Sequence, residues 1–155
     1  MFEYNAIITW KRGESENFTD RKYSREHTWE FDGNLLLDAT PSHHIVPVPY
    51  SNPNSIDPEQ AFVASLSSCH MLFFLDLCSQ AGIIVDHYSD EAIGELSRIG
   101  RNKMAMTKVT LKPNASYSGK NIPSIEKLEE LHHRAHELCY IANSVTSEII
   151  TEIIS

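Results

Sequence analysis

The residues of this 155-residue chain best suited to chemistry are its three cysteines, Cys69, Cys78 and Cys139. A thiolate is a strong nucleophile, and two neighbouring thiols can cycle between dithiol and disulfide. The odd count argues against a structural disulfide framework. The start, Met1-Phe2-Glu3-Tyr4-Asn5, has neither a basic segment nor an apolar run, so it does not read as a signal peptide. The expectation is a cytoplasmic protein whose cysteines serve packing or redox chemistry. Cys69 stands in Ser67-Ser68-Cys69-His70. On position alone such a cysteine is more often an inert core thiol. His70 follows it on a helix and so points about 100° away, which makes it a packing or indirectly supporting residue rather than a base. Cys78 lies about 180° round the helix and roughly 13 Å along it from Cys69, so those two cannot pair. Cys139 sits where a second helix ends and the chain turns. If any pair forms a disulfide, it is Cys69 with Cys139.

The elements that must position these residues can be read from pattern. Tyr4 to Trp10 and Thr28 to Leu37 are rich in β-branched, aromatic and aliphatic residues, with Asp32-Gly33 as a hairpin turn in the second stretch. From Asp38 to Ile56, four prolines (Pro41, Pro47, Pro49, Pro53) predict a long loop, a candidate wall for a binding site. Asp57, Pro58 and Gln60 make a helix start. Phe62, Leu66, Cys69, Phe73 and Leu77 then follow helical spacing to Gly82, with apolar residues on other faces too, as in a helix buried on most sides. His70, Asp76 and several serines argue against a membrane span. Ile83 to Val85, Ala92 to Arg98 and Met104 to Lys112 read as strands, the last two as a hairpin around Gly100-Arg101-Asn102. Ser124 caps a second helix through Leu128, Leu131, Ala135 and Leu138, with acidic residues early and His132, His133 and Arg134 later, as the macrodipole prefers. Ile149 to Ile154 reads as a closing strand. The sum is one α+β domain over residues 1–155 with two packed helices.

A composition of 41% apolar and 22% charged residues suits such a globular domain, and a net charge of -8 disfavours phosphate backbones, so nucleic acid is not an expected partner.

Asp57-Pro58-Glu59-Gln60-Ala61-Phe62-Val63-Ala64-Ser65-Leu66-Ser67-Ser68-Cys69 resembles the segment leading to the reactive cysteine of the osmotically inducible protein C / organic hydroperoxide resistance family, including the ten-residue separation of Glu59 from Cys69. Cys139-Tyr140-Ile141-Ala142-Asn143-Ser144 is similar to the family's second motif, a cysteine shortly before an asparagine and a final strand. The likeness covers nearly the whole chain. It departs at His70, where the family usually has an aromatic or apolar residue, and at Tyr140, where it usually has proline.

The resemblance implies an OsmC-like fold, with antiparallel sheets packed on two central helices in an intertwined homodimer. It implies a thiol-dependent peroxidase in which Cys69 reduces an organic hydroperoxide and Cys139 resolves the sulfenic acid as a disulfide. No cofactor is expected, only an external dithiol, lipoyl groups among them. The arginine that supports the thiolate maps to Arg25, with Arg12 and Arg21 close in sequence, and the glutamate that holds it maps to Glu59. Ten residues of helix put Glu59 about 15 Å along the axis from Cys69, so the expected helpers come from a second subunit. Phe62, Leu66, Phe73, Phe74, Ile45 and Val46 are candidates for an apolar substrate pocket, though most suit plain core better. The competing functions are a redox sensor without turnover and a metal-binding protein using His132, His133, His136 and Cys139 with His43-His44. Spacing at i+3 drifts around a helix and does not gather four ligands, which disfavours the metal.

Overall fold

Asp57 and Gln60 decide where the longest helix begins. In the computed structural model, which describes residues 1–154, the Gln60 N–H donates to Asp57 Oδ1 at 2.8 Å and the Asp57 N–H to Gln60 Oε1 at 3.2 Å. This reciprocal capping box satisfies two amides at the helix end. The helix, α1, runs from Pro58 to Gln80. It stops at Gly82, whose φ of 69° suits glycine, with the Ile83 N–H bonded back to Cys78 O and the Gly82 N–H to Ser79 O, a Schellman closure.

The chain forms two compact units, Met1–Ala61 and the stretch from Phe62 onward. The first holds an antiparallel sheet of β1 (Ala6–Thr9), β2 (His27–Phe31) and β3 (Leu35–Ala39) in that order. Gly33 and Asn34, at φ of 80° and 62°, make the turn between β2 and β3. The proline-rich segment after β3 is irregular, as predicted, and returns to the sheet end through Thr40 N–H to Ile56 O and Ile56 N–H to Asp38 O.

The second unit continues with β4 (Ile84–Asp90), β5 (Ile93–Gly100), β6 (Lys103–Leu111), β7 (Pro113–Ser118), α2 (Ile125–Leu138), a 3-10 turn (Ala142–Ser144) and β8 (Glu148–Thr151). β4 pairs with β7, and β5, β6 and β8 form a second sheet. The closing strand is present and pairs parallel to β6, while the other strand pairs are antiparallel. The chain between β6 and β8 contains a whole helix, the kind of crossover that parallel pairing requires. β7 went unread because Pro113, Asn114, Ser116 and Ser118 lack strand propensity. Its pairing with β4, from Asp90↔Pro113 to Ile84↔Ser118, supplies what the local sequence does not.

Two clusters hold this unit together. Phe74, Leu77 and Cys78 of α1 pack with Ile83 and with Leu131 and Ala135 of α2, while Leu66 packs with Val109 and Leu111 of β6. By length and composition α1 could cross a bilayer, and only 28% of its most apolar stretch is buried within the chain, but it is not apolar throughout. Its central polar groups have protein partners: Ser67 Oγ donates to Asp90 Oδ2 at 2.5 Å, and His70 bonds to His132.

Candidate active site

Cys69 lies three turns into α1 and is half-buried; Cys139 is the C-cap of α2 and only 1% exposed. Both are free thiols. They are brought together: the Cys69 thiol is close enough to Cys139 to act on its titration. Burial first, and then the Cys69 thiol, push the Cys139 thiol up to about 11. The Cys139 side chain is held from the other side by the 3-10 turn, whose Ala142 N–H donates to Sγ at 3.4 Å. Cys78 belongs to the core, and burial pushes its thiol up to about 11 as well. It is a packing residue of that core.

The arrangement around the thiols comes from α1 and α2. His70 and His132 are 1% and 4% exposed, and His70 Nε2 meets His132 Nδ1 at 2.9 Å. The rings lie within 3° of parallel, and His132 stacks on Phe74 with centroids 4.0 Å apart. Past the helix end, Tyr140 sets its edge against Phe73 at 5.0 Å. His132 is thus no solvent-facing complement to the helix dipole; it is a buried hydrogen-bonding partner. The signal for this is its spacing: His132 follows Leu128 by four residues and precedes Ala135 by three, the i+3/i+4 pattern of one helix face.

In the first unit, Arg25 is fixed by its own neighbours. Its guanidinium donates to Tyr23 O at 2.8 Å and Arg21 O at 2.9 Å and lies 4.1 Å over the Tyr23 ring. Its backbone is held in turn by His27, which sits between Arg25 O and the Trp29 indole N–H. Arg25 lines an open cavity of about 430 Å³ with Trp10, Phe18, Tyr23, Pro41 and Pro58. Phe18 stacks on Tyr23 at 4.7 Å, and Trp10 meets both rings. Glu59 is half-buried, and among the described residues neither it nor Arg25 enters an ion pair. The apolar residues expected to line a pocket are mostly core: Leu66 and Phe74 are fully buried, Phe62 and Phe73 pack against the core, Val46 is half-buried and Ile45 is exposed. The aromatic trio is not legible in the sequence because Trp10 reads only as the end of the first strand, and Phe18 and Tyr23 follow no helical or strand period.

The model of the family described as OsmC-like protein matches residues 51–153. The chain belongs to the OsmC-like family. Among solved structures it is similar to an OsmC-like protein of unknown function from Vibrio cholerae, 52% identical over 99% of this chain and 100% of that one, with a TM-score of 0.97. It shares its fold with the OsmC-like protein of Mycoplasma pneumoniae (12% identity, 99% and 96% coverage, TM-score 0.72). It shares it also with the organic hydroperoxide resistance protein OhrB of Bacillus subtilis (18%, 99% and 98%, 0.69). No curated protein matches the chain. The expected α+β architecture is therefore that of the family.

Among the described residues, no three His, Cys, Asp or Glu side chains gather to hold a metal ion. The buried histidines have a different consequence for this OsmC-like chain. Burial holds His70 down to about 4, against the pull of the Asp90 carboxylate, and burial with the neighbouring His70 holds His132 down to about 3. In the unfolded chain both rings take up protons near pH 6.5, so below that value the unfolded state binds more protons and stability falls with pH. The contribution is complete above about pH 6.5 and is lost as pH falls toward about 3, the lower of the two folded values. Urea unfolding should therefore show wild-type stability dropping across this window more steeply than that of His132→Phe; equal slopes would contradict the assignment.

Proposed function

We propose that this chain is a thiol-dependent peroxidase that reduces organic hydroperoxides to alcohols, with Cys69 as nucleophile and Cys139 as resolving thiol. The observation that carries the reading is the asymmetry of the pair: a half-buried Cys69 beside a buried Cys139 whose thiol is pushed up to about 11. A nucleophile needs access to substrate, whereas a resolver needs only access to the nucleophile. The name of the Bacillus subtilis neighbour, an organic hydroperoxide resistance protein, points to the substrate class.

In the first step the Cys69 thiolate attacks the distal peroxide oxygen. The O–O bond breaks, the alkoxide takes up the proton that the thiol gave up, and alcohol leaves. Cys69 is then a sulfenic acid. Cys139 attacks its sulfur, water departs and a Cys69–Cys139 disulfide forms. An external dithiol, a lipoyl group being one of suitable chemistry, restores both thiols by exchange. No bound cofactor is required, and a reducing cytoplasm is the matching location.

Arg25 and Glu59 are assigned supporting roles from a second copy of the chain. The Arg25 guanidinium favours the thiolate and the developing alkoxide charge, and the apolar cavity it lines accepts an alkyl or aryl group. A twofold dimer supplies cover for α1, most of whose apolar window is unburied within one chain, and for the exposed Ile7, Ile8, Leu35 and Leu36 of the first sheet.

With a dithiol reductant, the wild type should consume cumene hydroperoxide faster than hydrogen peroxide. Cys69→Ser should fall to the rate of the dithiol alone, and Cys139→Ser should accumulate sulfenic acid. A wild type that turns over neither peroxide with any dithiol would leave a redox sensor on the same fold. Light scattering should give the mass of a dimer, and a monomeric variant that kept full peroxidase activity would defeat the shared-site proposal.

A further inference from the structure

His70 and His132 are not needed as acid or base in the steps above, yet they occupy the most conspicuous polar contact between the helices that carry the two thiols. His70 directly follows Cys69 on α1. His132 precedes Cys139 by seven residues, which on a helix is two turns less about 20°, so both lie on nearly the same face of α2. The bond of 2.9 Å joins atoms that are otherwise sealed from water, and His132 is clamped against Phe74, one turn beyond His70. An apolar contact tolerates sliding, whereas a hydrogen bond between two buried rings has one register.

From this geometry we infer that the His70–His132 bond is a positioning latch: it fixes the register of α2 against α1 and thereby holds Cys139 within reach of Cys69. The inference rests on the Cys69–Cys139 pairing proposed above. The 3-10 turn that binds Cys139 Sγ secures the thiol from the C-terminal side, and the latch secures it from the N-terminal side. His70 and His132 are positioning residues.

The chemistry of the bond specifies its own controls. His132 bonds through Nδ1, an atom whose place the asparagine amide can take, while glutamine carries its amide one methylene too far. Phenylalanine keeps the stack on Phe74 and removes the bond. The quantity to measure is the equilibrium between the Cys69–Cys139 disulfide and glutathione in the full-length protein, which reports how closely the thiols are held and needs no peroxide. Relative to wild type, His132→Phe should lower that equilibrium constant by about tenfold, the size expected for one buried hydrogen bond. His132→Asn should restore it to within about threefold. Should His132→Phe fail to fold, His132→Gln makes the same comparison with His132→Asn. A folded His132→Phe or His132→Gln with the wild-type constant would overturn the latch while leaving the peroxidase reading intact. A wild type that forms no Cys69–Cys139 disulfide in oxidising glutathione would overturn the pairing and the latch together. Loss of hydroperoxide turnover with the disulfide equilibrium and its dependence on residue 132 preserved would overturn the peroxidase reading alone.

Discussion

A buried imidazole that finds no hydrogen-bonding partner destabilises the fold that encloses it, and in the second unit His70 of α1 meets that requirement through Nε2, which faces His132 of α2, while its Nδ1 has no partner. Burial keeps both rings neutral, so one nitrogen donates and the other accepts without a charge to solvate. The bond lies in the heart of the apolar packing that joins the helices, beside Phe74, Leu131 and Ala135. Because α1 carries one thiol of the pair and the end of α2 the other, this contact and the position of the sulfurs are set together.

The three thiols of one chain meet three environments. Cys78 is sealed in the core and burial raises its thiol, which makes it inert. Cys139 is equally sealed but has Cys69 beside it and the Ala142 N–H on its sulfur. Cys69 alone retains exposure. On the proposed mechanism this division assigns the nucleophile and the resolver without any metal or cofactor, and it leaves charge stabilisation to residues such as Arg25, which the first unit holds rigid over Tyr23.

Much of this was legible in the sequence where local rules act alone. Asp57-Pro58-Glu59-Gln60 is a capping box in pattern and in fact, Gly82 closes α1 as a left-handed glycine should, and Ser124 caps α2, accepting from the Lys127 N–H. The cysteine pair was legible only as a possibility of position, strengthened by resemblance. What stayed hidden depends on contacts between distant segments. β7 is a strand because β4 pairs with it, not because Pro113-Asn114-Ala115-Ser116 favours one. The parallel pairing of β8 with β6 is a product of topology. His132 looked like a dipole complement because it stands beside His133, which is exposed near Glu137, and only the crossing of α2 with α1 separates the two residues' surroundings.

The central claim is that Cys69 and Cys139 form one redox unit that excludes Cys78. Peptide mapping by mass spectrometry after a single equivalent of cumene hydroperoxide tests it most directly. The account predicts a cross-linked pair of peptides containing Cys69 and Cys139, short of two hydrogens, with Cys78 still alkylatable once the protein is unfolded. A disulfide involving Cys78, or Cys69 and Cys139 both recovered as free thiols after the peroxide is spent, would contradict it.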